Sequence, residues 1–358
     1  MKRLLVILSS FVFLCVFTSS ALAEWGLYGH ARMATWYNME DEDLSASGED
    51  DVDFSEWLQT NARIGANVTT GDVNGRFEYG TSGGNANIRL LYGSWNFGKG
   101  TLLVGQNYTP LDCHMMSNRV YGEDDGFLTI GCPYEGRLAQ IQVIIGDLTI
   151  AAISPSNTND LGVDEENGTV DIDTYIPKLE VAYNIKQDNV MATVYGGFNA
   201  YKVGYTPTGS TNQHDYELYS GIVGARCMAN IGDSYVNVCL FYVMNAANYG
   251  FKFDGNADAA EIKDGDVENS ASLGGALVIG SKIDDKMAIE AGAGYVQHDV
   301  DSAKDPDGTL AVYAQLRYTP IPAVCMVPEV GYVDNMDDET GATEGSKIYV
   351  GAKWQINF

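Results

Sequence analysis

The chain has 358 residues, of which 48 are acidic and 21 basic, so its formal net charge is −27. Nucleic acid and anionic membrane surfaces are therefore poor partners for it. Residues after position 23 contain no apolar run of about 18 residues, the length that a transmembrane helix needs.

The first residues are typical of a secretory signal. A charged start, Lys2 and Arg3, precedes an apolar run that ends in the small residues Ala21–Ala23. Cys15 makes a lipoprotein signal the alternative, but the residue before it, Leu14, is not small. We therefore predict a cleaved signal peptide at 1–23 and one exported domain at 24–358.

Alternation of apolar and polar residues with a period of two recurs along the whole exported domain, whereas helical periodicity is hard to find. The pattern predicts sixteen β-strands. Their expected ranges are 24–38, 57–70, 76–82, 87–97, 101–106, 135–145, 148–153, 174–185, 190–205, 215–231, 235–249, 271–283, 287–299, 309–318, 324–333 and 346–358.

The connections alternate between short turns, such as Gly146–Asp147, and long polar loops, such as 107–134 and 250–270. Gly83–Gly84 is the exception, a short connection where a long one is expected. Even-numbered strands with short turns at one end and long loops at the other predict an antiparallel barrel of the outer-membrane type. A soluble β-sandwich also alternates, but its interior would not be polar, as the set Gln59, Asn61, Arg63 is.

The sequence resembles the bacterial general porins, which are trimeric sixteen-stranded channels of Gram-negative outer membranes. The resemblance rests on the terminal strand "KIYVGAKWQINF" (347–358), on the long segment 107–134, and on the alternation of turns and loops. It implies short periplasmic turns, long extracellular loops and a third loop, 107–134, that folds into the barrel. It also implies a homotrimer, contact with outer-membrane lipid and lipopolysaccharide, and recognition of the terminal Phe358 by the barrel-assembly machinery.

Strand parity places a set of arginines on the inner wall, and the resemblance implies that acids of the inward loop face them across a constriction. The basic side is Arg32, Arg63, Arg76 and Arg89, and the acidic side is Asp112, Glu123, Asp124 and Asp125. The alternative is that the arginines pair with interior acids such as Glu78 and hold the wall rigid. Secondary lumen charges expected by parity are Arg317, Glu329, Lys347 and Lys353.

Five cysteines follow the signal, an odd number without the spacing of a zinc site. Cys113 and Cys132 lie in the proposed inward loop and could form a disulfide in an oxidising compartment. Cys227 and Cys239 fall on opposite faces of one sheet, so a bridge between them is not expected. No metal site or cofactor is predicted, apart from weak surface Ca²⁺ binding at the acidic stretches "KDGD" (263–266) and "KDPDG" (304–308).

These features predict a passive channel that admits small hydrophilic solutes and selects them by size and charge, without a catalytic step. The alternative is a solute-specific channel for small anions. A surface adhesin and an outer-membrane enzyme remain further alternatives, although no convincing catalytic site is present. Small outward residues that could let neighbouring barrels approach are Gly29, Ala31, Ala62 and Ala66.

Overall fold

The computed structural model describes residues 23–82, 84–155, 157, 168–253, 259–263, 266–300, 306–338 and 340–358. The predicted signal peptide, apart from Ala23, lies outside the described residues. Both proposed calcium stretches lie partly outside them as well.

The described residues form twenty β-segments and one short helix. The first ten segments are β1 (Glu24–Glu40), β2 (Asp51–Leu58), β3 (Arg63–Thr70), β4 (Val73–Ser82), β5 (Asn85–Asn96), β6 (Thr101–Tyr108), β7 (Arg137–Ile145), β8 (Leu148–Ile153), β9 (Gly168–Asp173) and β10 (Lys178–Gln187). The remainder are β11 (Val190–Pro207), β12 (His214–Ile231), β13 (Ser234–Met244), helix α1 (Ala246–Tyr249), β14 (Glu261–Lys263), β15 (Asp266–Glu268), β16 (Ser270–Lys282), β17 (Met287–Val300), β18 (Asp307–Ile321), β19 (Val324–Asp334) and β20 (Ser346–Asn357).

These segments build a closed barrel of sixteen antiparallel strands, which confirms the predicted fold. Two pairs of segments each make one barrel strand, because β2 and β3 both pair with β1, and β9 and β10 both pair with β11. β14 and β15 form a separate hairpin. The last strand closes the barrel on the first, with Ala31 opposite Ile356 and Glu40 opposite Lys347.

Several predicted ranges differ from the observed strands. The predicted strand 57–70 is interrupted at 59–62, because these residues contact a loop inside the barrel. The connection between the predicted strands 24–38 and 57–70 is not wholly a loop, since Asp51–Leu58 pairs with the upper part of β1. The predicted strand 235–249 ends at Met244, where Asn245 takes a left-handed conformation and α1 begins.

Side chains alternate between the two faces of the wall. On β10, Leu179 and Val181 are exposed on the outside, whereas Lys178 and Glu180 are buried inside. Short turns join the strands at one end, as at Gly146–Asp147, and longer connections join them at the other. The exception at 83–84 is confirmed, since β4 ends at Ser82 and β5 begins at Asn85.

Outward aromatic side chains form two bands. Near the turn ends of their strands, Trp25, Trp95, Tyr318 and Trp354 are exposed. Near the loop ends, the exposed aromatic residues are Tyr37, Phe54, Tyr79 and Tyr242. An apolar outer surface flanked by two aromatic bands is the pattern of a barrel embedded in a bilayer.

Candidate functional site

The barrel encloses a cavity of about 680 Å³ that is lined mainly by polar and charged side chains. One boundary of this cavity is the connection between β6 and β7, residues 109–136, which we call the inward loop. This loop folds into the barrel instead of projecting outward, as predicted for 107–134.

The first part of the inward loop is fixed to the wall at β12 and β13. Arg226 donates from Nη1 to the carbonyl oxygens of Leu111 at 3.3 Å and Asp112 at 2.8 Å. Asn237 donates from Nδ2 to the carbonyl oxygen of Met116 at 2.9 Å. Side chains of the wall thus donate hydrogen bonds to backbone carbonyl groups of the loop, which has no neighbouring strand to pair with.

The middle of the inward loop is held by two carboxylates from wall strands further along the sheet, β17 and β19. Glu290 on β17 accepts from the backbone N–H of Asn118 at 2.8 Å. Glu329 on β19 accepts from the N–H groups of Val120 at 2.8 Å and Tyr121 at 3.1 Å. Glu329 is therefore an anchor of the loop, which differs from its predicted role as a lumen charge.

The tip of the inward loop docks on the interruption between β2 and β3. Gln59 donates to the carbonyl oxygen of Gly122 at 2.9 Å. The carboxylate of Glu123 accepts from the indole N–H of Trp57 at 2.7 Å and from the hydroxyl of Thr60 at 2.8 Å. Residues 59–62 leave the regular ladder because they bind this tip.

The returning half of the inward loop packs through apolar contacts. Phe127 lies edge-on to Tyr313, with ring centroids 5.2 Å apart. Gly294 lies beneath it, and a Cβ there would stand 2.6 Å from the Phe127 ring, so the close packing requires glycine. Other buried apolar residues of the loop are Leu111, Met116, Val120 and Ile130.

Near its end, the loop is fixed by a buried ion pair. The ammonium group of Lys178 donates to Glu135 and, at 3.1 Å, to the carbonyl oxygen of Tyr249 in α1. Neither charged side chain of this pair is appreciably exposed. The loop is thus attached at its start, middle, tip and end, and its position in the lumen is defined along its length.

Glu78 organises the basic wall. Its buried carboxylate accepts from Arg63 at 3.1 Å, Arg76 at 3.1 Å and Arg89 at 2.8 Å, and also from the Tyr28 hydroxyl at 2.8 Å. One carboxylate thus forms ion pairs with three guanidinium groups. The predicted alternative, in which the arginines pair with Glu78, describes these contacts, yet all three arginines also line the cavity.

The Arg89 side chain lies inside the barrel because the pairing between β4 and β5 shifts its register next to this residue. Glu78 pairs with Leu90 and Tyr79 with Ile88, so Arg89 is the extra residue of a β-bulge. Ile88 and Leu91 are exposed on the outside, whereas Arg89 and Leu90 both line the lumen. Simple alternation counted back from Leu91 would have placed Arg89 outside.

Asp124, at the tip of the inward loop, faces the basic wall. It accepts from Lys353 on β20 at 2.9 Å and also from Arg32 on β1. Its φ of 65° lies in the left-handed region, as do those of Gly122 and Gly126, so the tip is a tight turn. Asp124 thus joins two of the predicted basic residues.

Of the four predicted acids, Glu123, Asp124 and Asp125 line the cavity and Asp112 does not. Asp112 is buried and accepts from His114, which stacks on Tyr108 at a centroid distance of 4.4 Å. The nearby Ser117 hydroxyl lies 2.7 Å from the Tyr313 hydroxyl. Ser117 and the Asp112–His114 pair thus have different hydrogen-bond partners.

The secondary lumen charges divide into two groups. Arg317 and Lys353 line the main cavity. Lys347 borders a neighbouring cavity, where its ammonium group lies 5.6 Å from the ring centroid of Tyr121. Burial raises the pKa of the Asp125 carboxyl to about 6 and that of the Tyr134 hydroxyl to about 12.

Two further basic residues of the cavity were missed. Arg119 is the lone basic residue of the sequence segment 109–136, and it donates to the Tyr349 hydroxyl at 2.9 Å and the Gly126 carbonyl at 3.0 Å. Arg137 is the first residue of β7, and its guanidinium group lies 5.5 Å from the ring centroid of Tyr108. Arg119 could have been noticed as a solitary base among acids.

The charge of the lining is opposite to that of the chain. Among the described residues, eight basic side chains line the cavity: Arg32, Arg63, Arg76, Arg89, Arg119, Arg137, Arg317 and Lys353. Three carboxylates line it, those of Glu123, Asp124 and Asp125. Even with Glu78 included, cations exceed anions in a protein whose net charge is −27.

The structure contains no bond between Cys113 and Cys132, the pair for which a disulfide was predicted, and both side chains are buried. Cys113 instead contacts Cys239, with the two Sγ atoms 3.7 Å apart, because its loop segment lies against β13. The register confirms that Cys227 and Cys239 cannot pair, since Cys227 stands opposite Val238 and Cys239 opposite Arg226.

Within the described ranges, no group of His, Cys, Asp and Glu side chains is arranged to hold a metal ion. Nor does the described part of the chain contain a helix that is long and apolar enough to cross a bilayer.

A closed sixteen-stranded barrel with its third loop folded into a polar lumen is the fold of the outer-membrane porins. Solved structures share this fold with the chain. The outer-membrane channel DcaP of Acinetobacter baumannii has a TM-score of 0.73 at 17% identity, over 93% of this chain and 97% of that chain. The anion-selective porin from Comamonas acidovorans has a TM-score of 0.60 at 12% identity, over 94% and 100%.

The trimer form of OmpT from Vibrio cholerae, an outer-membrane protein, has a TM-score of 0.57 at 15% identity, over 93% of this chain and 99% of that chain. No protein-family model and no curated protein matches the sequence. Identities this low establish the fold, and the function has to be argued from the lumen itself.

Proposed function

We propose that the protein is an outer-membrane porin through which small hydrophilic solutes diffuse passively, with a preference for anions. The bilayer location is supported by the apolar outer face and its two aromatic bands. The excess of basic side chains around the lumen cavity carries the proposal of anion preference. Transport needs no chemical step, so no enzymatic role is proposed.

The charge selectivity depends on which charged side chains of the lumen can still interact with a passing ion. Glu78 is shared by three arginines, and Asp124 by Arg32 and Lys353, so each of these carboxylates has more than one cation beside it. Cationic side chains of the lining therefore attract an entering anion and repel a cation. The nine carboxylates between Glu40 and Glu56, at the loop end of the barrel, act in the opposite direction, and this effect weakens as salt is added.

A solute-specific anion channel is the second candidate, favoured by one group of side chains. Arg89 and Arg137 both donate to the Tyr108 hydroxyl, at 3.4 and 3.5 Å. The Tyr134 side chain borders the same cavity. Two guanidinium groups beside aromatic rings could bind a carboxylate or phosphate attached to an apolar body.

Assembly into a homotrimer is proposed as well. The trimer form of the Vibrio cholerae protein supports this arrangement for the shared fold. Of the four small residues expected at a barrel–barrel contact, only Ala31 is exposed; Gly29, Ala62 and Ala66 are covered within the chain. The trimer contact would therefore centre on the exposed residues around Ala31.

Phe358 is proposed as the signal for the barrel-assembly machinery. Its backbone N–H donates to the carbonyl of Gly29, and its carbonyl accepts from the Gly29 N–H, both at 2.9 Å, so the terminus completes the closing ladder. Its side chain is 75% exposed on the outside. Lipid and lipopolysaccharide are the proposed neighbours of that surface.

Planar-bilayer recording tests this function. We expect purified protein to insert with three conductance steps per event and to give a reversal potential of the anion-selective sign across a KCl gradient. Conductance that saturates with one organic anion would favour the solute-specific candidate. Cation selectivity at high salt, or the absence of conductance, would refute the proposal.

A further inference from the structure

Three cysteine side chains converge where the inward loop meets the wall. Cys113 and Cys132 belong to the loop, and Cys239 points inward from β13. The Sγ atoms of Cys113 and Cys239 are 3.7 Å apart, and Cys132 belongs to the same buried cluster. All three are buried. The remaining cysteines of the exported domain, Cys227 and Cys325, are not part of this cluster.

Neighbouring groups hold Cys113 next to Cys239. Arg226 binds the carbonyl oxygens of Leu111 and Asp112, immediately before Cys113, and its Nη1 lies 3.6 Å from the Cys113 sulfur. The Tyr195 hydroxyl lies 3.5 Å from the Cys239 sulfur and 3.8 Å from that of Cys113. The loop backbone is thus fixed where the two sulfur atoms meet.

We propose that Cys113 and Cys239 form a disulfide that joins the inward loop covalently to the barrel wall. The inference rests on the proposed outer-membrane location, because an exported chain passes through an oxidising compartment. The two cysteines are 126 positions apart in the sequence, so a bond between them would close a long loop and constrain the unfolded chain strongly. A bond of about 2.05 Å requires the two sulfur atoms to move together from their present contact.

The bridge forms by thiol–disulfide exchange with a disulfide-carrying oxidoreductase. A thiolate of one cysteine attacks the oxidoreductase disulfide and releases one of its thiols, which gives a mixed disulfide. The second cysteine then displaces the remaining thiol. Two protons and two electrons leave the cysteine pair, and the oxidoreductase disulfide is reduced to a dithiol.

Two opposing influences act on the reactivity of Cys113. Burial raises the pKa of its thiol, whereas the Arg226 guanidinium group favours the thiolate. Once the loop is docked, an external oxidant has no direct access to the buried sulfur atoms. We therefore place the exchange reaction before or during docking of the loop, while the chain is still open.

Disulfide mapping of the wild-type protein tests the inference without any variant. Protein is extracted from outer membranes with a thiol-alkylating reagent in denaturant and without reductant, and then digested with trypsin and an Asp-specific protease. Cleavage after Arg119 separates Cys113 from Cys132, and cleavage before Asp233 separates Cys227 from Cys239. We expect a peptide with Cys113 linked to one with Cys239, and loss of this species after reduction.

Serine variants provide the second measurement. Cys239→Ser should remove the linked species, whereas Cys132→Ser and the control Cys325→Ser should retain it. A link between Cys113 and Cys132, a link between Cys132 and Cys239, or complete alkylation of Cys113 and Cys239 in wild-type protein would overturn the inference. Conductance of fully reduced protein in bilayers tests the channel separately, so a conducting channel without the link rejects only the disulfide.

Discussion

Asparagine in place of Asp124 removes one negative charge from the lumen while keeping the shape of the side chain. Asp124 accepts from Lys353 at 2.9 Å and also from Arg32, and its carboxylate is one of three that line the cavity. Asparagine tolerates the left-handed backbone at this position, where φ is 65°. The remaining contacts of the tip, made by Glu123, keep the loop docked.

The expected change in selectivity can be worked from Coulomb's law. A unit charge about 6 Å from a passing ion contributes about 0.7 kcal/mol in water. Screening at 0.1 M salt, with a Debye length of about 10 Å, reduces this to about 0.4 kcal/mol. Loss of the carboxylate favours an anion and disfavours a cation by this amount. The permeability ratio of anion to cation should therefore rise by about 0.8 kcal/mol, or roughly fourfold.

Reversal potentials of wild-type and Asp124→Asn channels, recorded across the same KCl gradient, measure this ratio. Asp285→Asn is the matched control, since Asp285 is an exposed carboxylate in a turn, 2.7 Å from Lys282 and outside the lumen. The control should leave the ratio unchanged. An unchanged ratio in Asp124→Asn, or a shift towards cations, would show that Asp124 does not face the ion path.

Three other perturbations probe the same lumen. Glu78→Gln leaves three guanidinium groups without their shared carboxylate and should destabilise the barrel by about 3 kcal/mol. The measurement is the unfolding temperature in detergent, which should fall. An unaltered unfolding temperature would refute the role of Glu78. Gly294→Ala would push a Cβ against Phe127 and the Ile130 carbonyl, displace the inward loop and raise single-channel conductance, whereas Gly26→Ala, with open space around it, should change nothing. Lowering the pH from 8 to 5 should increase anion selectivity, because the Asp125 carboxyl, with its pKa raised to about 6, becomes neutral; Asp125→Asn should reduce this pH response, and an equal response in both proteins would contradict the assignment.

The barrel could be predicted from the sequence because its signals are local. Outward and inward residues alternate on every strand, and glycine and aspartate mark the short turns. The departures depend on contacts between distant parts of the chain. Residues 59–62 leave the ladder to bind Gly122 and Glu123, which lie some sixty positions away in the sequence. Periodicity contains no information on such a contact.

The lumen was predictable only in part for the same reason. Parity placed Arg32, Arg63, Arg76 and Arg89 inside, and the first three lie in regular stretches of ladder. Arg89 reaches the same wall through a bulge that the alternation of residues does not reveal. Asp112 and Asp124 are both acids of the inward loop. Only the folded path of the loop shows that Asp112 lies beside His114 and Asp124 beside Arg32.

The path of the inward loop also explains how an acidic chain acquires a basic lumen. A loop inside a barrel needs hydrogen-bond acceptors for its N–H groups, and Glu290 and Glu329 provide them from the wall. Carboxylates used in this way are buried behind the loop and do not line the cavity. Arginine side chains are longer and always charged, so Arg63 and Arg76 can pair with Glu78 and still line the cavity. Anchoring the loop thus withdraws negative charge from the lumen and leaves positive charge along it.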